Sequence, residues 1–272
     1  MKELDIFLQK AIRAASEAAL RILTIYESSD FEVFNKEDET PVTFADYESD
    51  RIIHSHLKPT GIPVVSEEST YSHLTDKNLD TYWLVDPLDG TKEFIKQNGE
   101  FCINIALIKE HRPALGIIAI PVTHKIYCTA KGAGVSKSQV NRWGLNENFK
   151  FEPLTKPTLP GEHEQLVFLK SKSHSSSSDH HFIQDHLNRK YSLKYRQIGS
   201  AIKFTEIIEG QGHVYHRMGP TMAWDTAAGH AMLLEFGGTI LDLETGQELA
   251  YNLNNLKNNE FVASLMSLKT IL

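Results

Sequence analysis

The chain has 272 residues, enough for one large domain or two ordinary ones with a substantial core. Its 41% hydrophobic and 9% aromatic content exclude a chain that stays disordered. With 28 basic against 35 acidic residues the formal net charge is −7, the wrong sign for a protein that coats a nucleic-acid backbone.

The first predicted element is an amphipathic helix, in which Leu4, Phe7, Leu8, Ile12, Ala15, Ala19, Ile22, Leu23 and Tyr26 recur near helical spacing. Arg13, Glu17 and Arg21 interrupt it, so it fits neither a signal-peptide core nor a membrane span. A cytoplasmic protein with a small-molecule partner is expected; the oligomeric state and any peripheral association with the inner membrane stay open. Residues 30–43 read as a short strand and a turn. A helix follows over 44–57, where Ile52, Ile53 and Leu57 share a face, and Pro59 and Gly61 end it. Apolar runs at 62–65 and 82–85 each lead into acidic residues. Residues 101–109 and 114–121, joined by a turn at 110–113, pattern as an antiparallel hairpin, with another strand at 125–130. These strands carry the two cysteines, Cys102 and Cys128, which read as buried, reduced thiols rather than a disulfide or a zinc site.

Clean periodicity is lost between 132 and 161, where Gly132, Gly134, Gly144, Pro153, Pro157, Pro160 and Gly161 collect, and a domain boundary is placed there. Beyond it strands at 166–170, 193–197 and 213–216 alternate with helices near 179–189, 201–209 and 223–236, which predicts an α/β layered half. The Ser- and His-rich run 170–181 reads as a solvated loop entering a helix. The 13 histidines, His180 and His181 among them, lack the paired spacing of a zinc site and read as solvated or structural.

The most informative stretch is Tyr82-Trp-Leu-Val-Asp-Pro-Leu-Asp-Gly-Thr-Lys-Glu-Phe94. A strand runs into Asp86, Pro87 interrupts the ladder, and Asp89 follows three residues after the first carboxylate. Two carboxylates across a proline turn can converge on one point, and the turn aims the Leu88 carbonyl inward; such oxygen ligands suit a hard cation such as Mg²⁺. Gly90 permits a tight turn, and Thr91 opens a short helix whose first amides favour an anionic phosphate. Glu67-Glu68 follows the other short apolar run, and Asp225 stands at the start of a helix of small residues. Four carboxylates at element ends are what a two-metal phosphoester site requires. Turn-forming Asp, an Asp N-cap and a solvated Glu pair account for the same residues, so chemistry alone leaves both readings open.

Glu67-Glu68, Asp86-Pro-Leu-Asp-Gly-Thr91 and Trp224-Asp-Thr-Ala-Ala-Gly229 resemble, in order and separation, the signatures of the lithium-sensitive inositol monophosphatase superfamily. The resemblance covers nearly the whole chain. The longer string Asp86-Pro-Leu-Asp-Gly-Thr-Lys-Glu-Phe-Ile-Lys96 is similar to the 3′(2′),5′-bisphosphate nucleotidases, particularly the bacterial CysQ type. Thr40-Pro-Val-Thr-Phe-Ala-Asp46 and Gly219-Pro-Thr-Met-Ala-Trp-Asp-Thr-Ala-Ala-Gly-His230 agree with that branch.

The resemblance implies the layered αβαβα sandwich of the sugar-phosphatase type. An N-terminal α+β half, residues 1–155, would bind metal, and a C-terminal α/β half, residues 156–272, would complete the cleft. It implies a phosphomonoester hydrolase with two or three Mg²⁺ per site that removes the 3′-phosphate of adenosine 3′,5′-bisphosphate, giving AMP and phosphate, in sulfate assimilation. Carried over by position, Glu67, Asp86, the Leu88 carbonyl, Asp89 and Asp225 would hold the metals. Thr91, paired with Asp46, would orient and deprotonate the attacking water, with Glu67 beside them. Substrate contacts are implied for Gly90, Thr91, Ser200, Lys203, Arg217, Asp225 and the His174 of a Ser173-His174 pair. Glu68 is expected to point away, Lys92 and Lys96 to be surface charges, Glu93 to be solvated or supporting, and His230 to lie off the face of Asp225. Hydrolysis of inositol or sugar phosphates at the same metals is the enzymatic alternative; a regulatory protein keeping the fold is the non-enzymatic one.

Overall fold

Helices α1 (Lys2–Ser28) and α2 (Phe44–Leu57) form the outer layer of the computed structural model, which describes residues 2–28, 33–35, 41–68, 79–144, 148–172, 187–267 and 271. The buried stripe of α1 holds Ala11, Ala14, Ala15, Ala18 and Ala19 with Ile12 and Ile22. Small side chains let α2 approach closely, and Phe7 meets Trp83 edge-to-face at 6.0 Å across the layer below. The predicted bounds of α2 hold: Thr43 caps it, and Lys58–Thr60 turns once as a 3₁₀ helix that Gly61 ends at φ 73°.

The layer below is a seven-stranded sheet in the order β3-β4-β5-β6-β7-β8-β9. Its strands are β3 (Val64–Ser66), β4 (Thr81–Asp89), β5 (Cys102–Lys109), β6 (Arg112–Ile120), β7 (Lys125–Ala130), β8 (Val135–Gln139) and β9 (Glu152–Pro153), preceded in the chain by the pair β1 (Val33–Asn35) and β2 (Pro41–Thr43). Only β3 and β4 run parallel within it. The hairpin turn is tighter than predicted, because Lys109 already pairs with Arg112 and leaves Glu110 and His111 at φ 50° and 61°. β8 and β9 fall where periodicity was lost; they are short and partly exposed, so no alternation marks them. Both cysteines are free and buried.

Helices α4 (Ile202–Ile208) and α5 (Ala223–Glu235) lie between that sheet and a second one; the short helix α3 (Thr91–Ile95) belongs to the site described below. The second sheet has the order β11-β10-β12-β16-β14, from β10 (Gln165–Lys170), β11 (Ser192–Gln197), β12 (Val214–Arg217), β14 (Thr239–Asp242) and β16 (Phe261–Ser264). The pair β13 (Thr221–Met222) and β15 (Lys257–Asn258) stands apart at the start of α5. One apolar cluster joins Leu84, Ala106 and Ile118 of the first sheet to Phe204, Ala228 and Met232 of the helices and Tyr215 and Ala263 of the second sheet. At about 1.5–3 kcal/mol per fully buried large side chain, this shared core binds the two halves of the chain to each other. Gly229 makes the helix contact possible, since a Cβ there would fall 2.2 Å from the Phe204 ring.

The outer face of the second sheet buries Leu166, Phe168, Val214 and Val262 with Leu187 and Ile271. The helix expected near 179–189 lies largely outside the described residues. The described layers, helix pair, sheet, helix pair and sheet, give a mixed α/β sandwich and are four of the five layers in the αβαβα order that the motifs imply. Among the described residues no helix is long and apolar enough to cross a membrane.

Candidate active site

β4 does not end at Val85. It continues through Pro87 to Asp89, and its register against β5 becomes irregular between Asp86 and Asp89, where a proline is tolerated. From α2, the Ser49 hydroxyl donates to the Pro87 carbonyl at 2.7 Å and pins the turn. Asp86 Oδ1 accepts from the Leu88 amide at 3.1 Å. Gly90 then takes φ 98°, and a Cβ there would sit 3.0 Å from the Glu100 carbonyl, so only glycine fits both the angle and the space. Thr91 follows as the first residue of α3.

The same α2 start supplies Asp46. One of its oxygens, Oδ2, accepts from the Thr43 amide at 2.8 Å and the Thr43 hydroxyl at 2.6 Å, closing a capping box. The other, Oδ1, accepts from the Thr91 hydroxyl at 2.9 Å. Asp46 is 1% exposed. Burial pushes its pKa up to about 6 against the Thr43 and Thr91 hydrogen bonds, which hold it down. Thr91 lines the cleft, so a hydroxyl there carries its proton toward a buried carboxylate and its lone pairs toward whatever the cleft holds.

Glu67, Asp86 and Asp225 each offer an oxygen, all within 4.8 Å of one another. They arrive from three elements: the end of β3, the turn of β4 and the first turn of α5, where the Met222 amide donates to Asp225 at 2.8 Å. Burial and the neighbouring acids push Asp86 well above the ordinary carboxylate range and Asp225 up to about 8. Asp89 stands beside this trio and is raised to about 6 by burial, with Lys203 and hydrogen bonds pulling it back. Its Oδ2 accepts from the Ala201 amide at 2.5 Å and Asn104 Nδ2 at 3.2 Å, with Cys102 Sγ at 3.8 Å. Acids that raise each other's pKa in this way are complementary to a cation, and an all-oxygen set fits a hard divalent ion.

The carboxylates open onto a cleft of about 260 Å³, which Leu88, Gly90, Thr91, Ser200, Lys203 and Arg217 also line. Lys203 is buried, donating to the carbonyls of Ile198 at 3.1 Å and Ser200 at 2.6 Å, with its ammonium 4.9 Å from the Tyr215 ring centroid. Arg217 donates to the carbonyls of Gly219 and Pro220 and to the Ser171 hydroxyl at 2.8 Å. Ser200 sits on a φ of 49° at the corner before α4. His174 lies outside the described residues.

Glu93, expected as solvated or supporting, is buried in the cleft wall, because α3 turns it inward against Gly199. Lys92 and Lys96 are exposed, and Glu68 is half-buried with its amide on the Ser66 hydroxyl. His230 is fully buried and reaches the Tyr251 hydroxyl at 3.1 Å. Sequence reasoning missed Asn104 and Cys102, which come to Asp89 through strand pairing, and Ser171, Lys172, Tyr215 and Thr221 of the cleft wall. Asn104, a polar residue in an otherwise apolar strand, was the one available signal.

The inositol monophosphatase family model matches residues 3–268. A 3′(2′),5′-bisphosphate nucleotidase CysQ from Buchnera aphidicola is 36% identical over 265 residues, covering 95% of this chain and 94% of the relative. The protein of that name from Escherichia coli K12 is 35% identical over 247 residues, covering 90% and 93%. The crystal structure of CysQ from Bacteroides thetaiotaomicron, described as a bacterial member of the inositol monophosphatase family, superposes with a TM-score of 0.83 at 35% identity, covering 96% and 97%.

Proposed function

The chain belongs to the inositol monophosphatase family, and we propose that it acts there as a 3′(2′),5′-bisphosphate nucleotidase, hydrolysing adenosine 3′,5′-bisphosphate to AMP and phosphate. One observation carries the reading: three carboxylates from separate elements meet within 4.8 Å, beside a threonine hydroxyl bonded to a buried aspartate. The names of relatives aligned over nearly the full chain support the substrate.

Glu67, Asp86, Asp225, Asp89 and the Leu88 carbonyl are the groups that would hold two or three Mg²⁺. Bound there, the metal would supply Lewis acidity toward the phosphoryl oxygens and a water acidic enough to attack near neutral pH. The chain's own part is proton handling and placement. The attacking water gives a proton to Thr91 Oγ1 as Thr91 passes its own to Asp46 Oδ1, a carboxylate that burial makes more basic than an exposed one. The new bond is from water oxygen to phosphorus, the broken bond is from phosphorus to the 3′-oxygen, and the leaving alkoxide is protonated from solvent. Lys203 and Arg217 contribute positive charge to the cleft that the acids line, and Gly90 lets the main chain come close to the phosphate. This role belongs to the recycling of a by-product of sulfate assimilation, in the cytoplasm.

Phosphate release from adenosine 3′,5′-bisphosphate, inositol 1-phosphate and fructose 1,6-bisphosphate, with Mg²⁺ and after chelation, tests the proposal. Mg²⁺-dependent turnover with the adenosine bisphosphate ahead by tenfold or more supports it. Preference for the inositol or sugar ester overturns the substrate, and absence of hydrolysis on all three favours a regulatory protein.

A further inference from the structure

A nucleoside bisphosphate whose 3′-phosphate lies over the acids presents its second phosphate elsewhere in the cleft. Among the described residues four cations line that cleft: Lys92, Lys172, Lys203 and Arg217. Lys203 and Arg217 build the wall, with two of the three Lys203 donors and three of the five Arg217 donors on the carbonyls of Ile198, Ser200, Gly219 and Pro220 and the Ser171 hydroxyl. Lys92 is exposed, on the surface of the short helix α3.

Lys172 differs from all three. It follows β10 at a corner fixed by the Ile198 amide on the Lys170 carbonyl and by Arg217 on Ser171. Its ammonium is held by a carboxylate that reaches it from the first half of the chain, Glu100 Oε1 at 2.6 Å. The other oxygen of Glu100 accepts from the Gly199 amide at 2.7 Å, which fixes the carboxylate in place. The pair is 36% and 28% exposed at the side chains, so water screens it and it holds weakly.

Resting on the bisphosphate reading, we infer that Lys172 reads the second phosphate of the substrate and that Glu100 is the anion it leaves to do so. A lysine carries three donors on a stem with freely turning bonds, so the ammonium can change partner without moving its corner. A phosphate dianion carries more charge than the carboxylate and displaces it. An ester lacking a second phosphate offers nothing in exchange, and the pair stays closed. Glu100 thereby holds the ammonium at the cleft until a second phosphate arrives, and its competition subtracts from the preference that Lys172 confers.

The test is the ratio of kcat/KM for adenosine 3′,5′-bisphosphate over adenosine 3′-monophosphate, with Mg²⁺, in the full-length protein. Lys172→Gln is expected to lower the ratio by about tenfold or more, the worth of one charge-assisted hydrogen bond. Lys172→Arg retains the charge and keeps the ratio within about threefold of the parent. Glu100→Gln still accepts from Gly199 but no longer competes, and raises the ratio. A parent that prefers the bisphosphate, with a Lys172→Gln ratio unchanged within twofold, overturns the inference alone. A Glu100→Gln ratio that falls as far as that of Lys172→Gln also overturns it, because the pair would then be a strut. A parent ratio of one or less overturns the nucleotidase reading, and this inference with it.

Discussion

Replacing Asp225 by Asn separates a metal site from a chance meeting of acids. In the metal-free protein this carboxyl is raised from 3.8 to about 8 by burial, Asp89 and Glu67. A carboxyl raised on folding lets stability fall as pH climbs from about 4 toward 8, since the folded state resists losing the proton. At pH 7 roughly three pKa units of this are realised, on the order of 4 kcal/mol. Asp225 keeps an edge open to the cleft, and solvent screening reduces the cost to about 2–3 kcal/mol. Asn retains the acceptor for the Met222 amide and removes the charge. Metal-free Asp225→Asn is therefore expected to melt roughly 5–10 °C higher than the parent at pH 7, with the gap closing toward pH 4. Mg²⁺ should raise the melting temperature of the parent and leave the variant nearly unmoved, with hydrolysis lost. Scanning calorimetry at pH 4 to 8, with and without Mg²⁺, measures this. A variant less stable than the metal-free parent at pH 7, or one that Mg²⁺ stabilises as much as the parent, would refute the reasoning.

Three further outcomes follow from contacts described above. Thr91→Ala removes the hydroxyl between the cleft and Asp46 and should lower kcat by about 10²–10⁴ while Mg²⁺ binding by calorimetry persists; Thr91→Ser should recover most of the rate. A loss of Mg²⁺ binding equal to the loss of rate would instead make Thr91 a structural residue. Gly229→Ala drives a methyl into the Phe204 ring and should destabilise by about 1–3 kcal/mol in urea unfolding, and an unchanged midpoint would mean that α4 gives way freely. Gly90→Ala meets both a φ of 98° and the Glu100 carbonyl, and should cost about 1–2 kcal/mol with a larger fall in kcat than in stability.

The elements with strong local patterns were legible in the chain. The bounds of α2 follow from Ile52, Ile53, Leu57 and the Pro59–Gly61 stop, and the hairpin from two long apolar runs around a short polar break. The acids announced themselves because Glu67 and Asp86 each follow a short apolar run and Asp225 stands in the first turn of a helix. What escaped depends on pairing across the sheet. Asp89 lies opposite Cys102 only because β4 bulges between Asp86 and Asp89, and no local pattern gives that register. For the same reason Asn104 could not be assigned to Asp89. Short strands such as β13, β15 and β9 carry two residues each, too few for any period. Lys172 was hidden in a polar, repetitive run, where its partner Glu100 lies 72 residues away along the chain.

Product analysis in ¹⁸O-labelled water tests the central claim most directly. Adenosine 3′,5′-bisphosphate incubated with the protein and Mg²⁺ is followed by ³¹P NMR and mass spectrometry. The account predicts one label in inorganic phosphate, none in the nucleotide, and 5′-AMP as the sole nucleotide product. Formation of 3′-AMP, or label retained on the nucleoside, would contradict it.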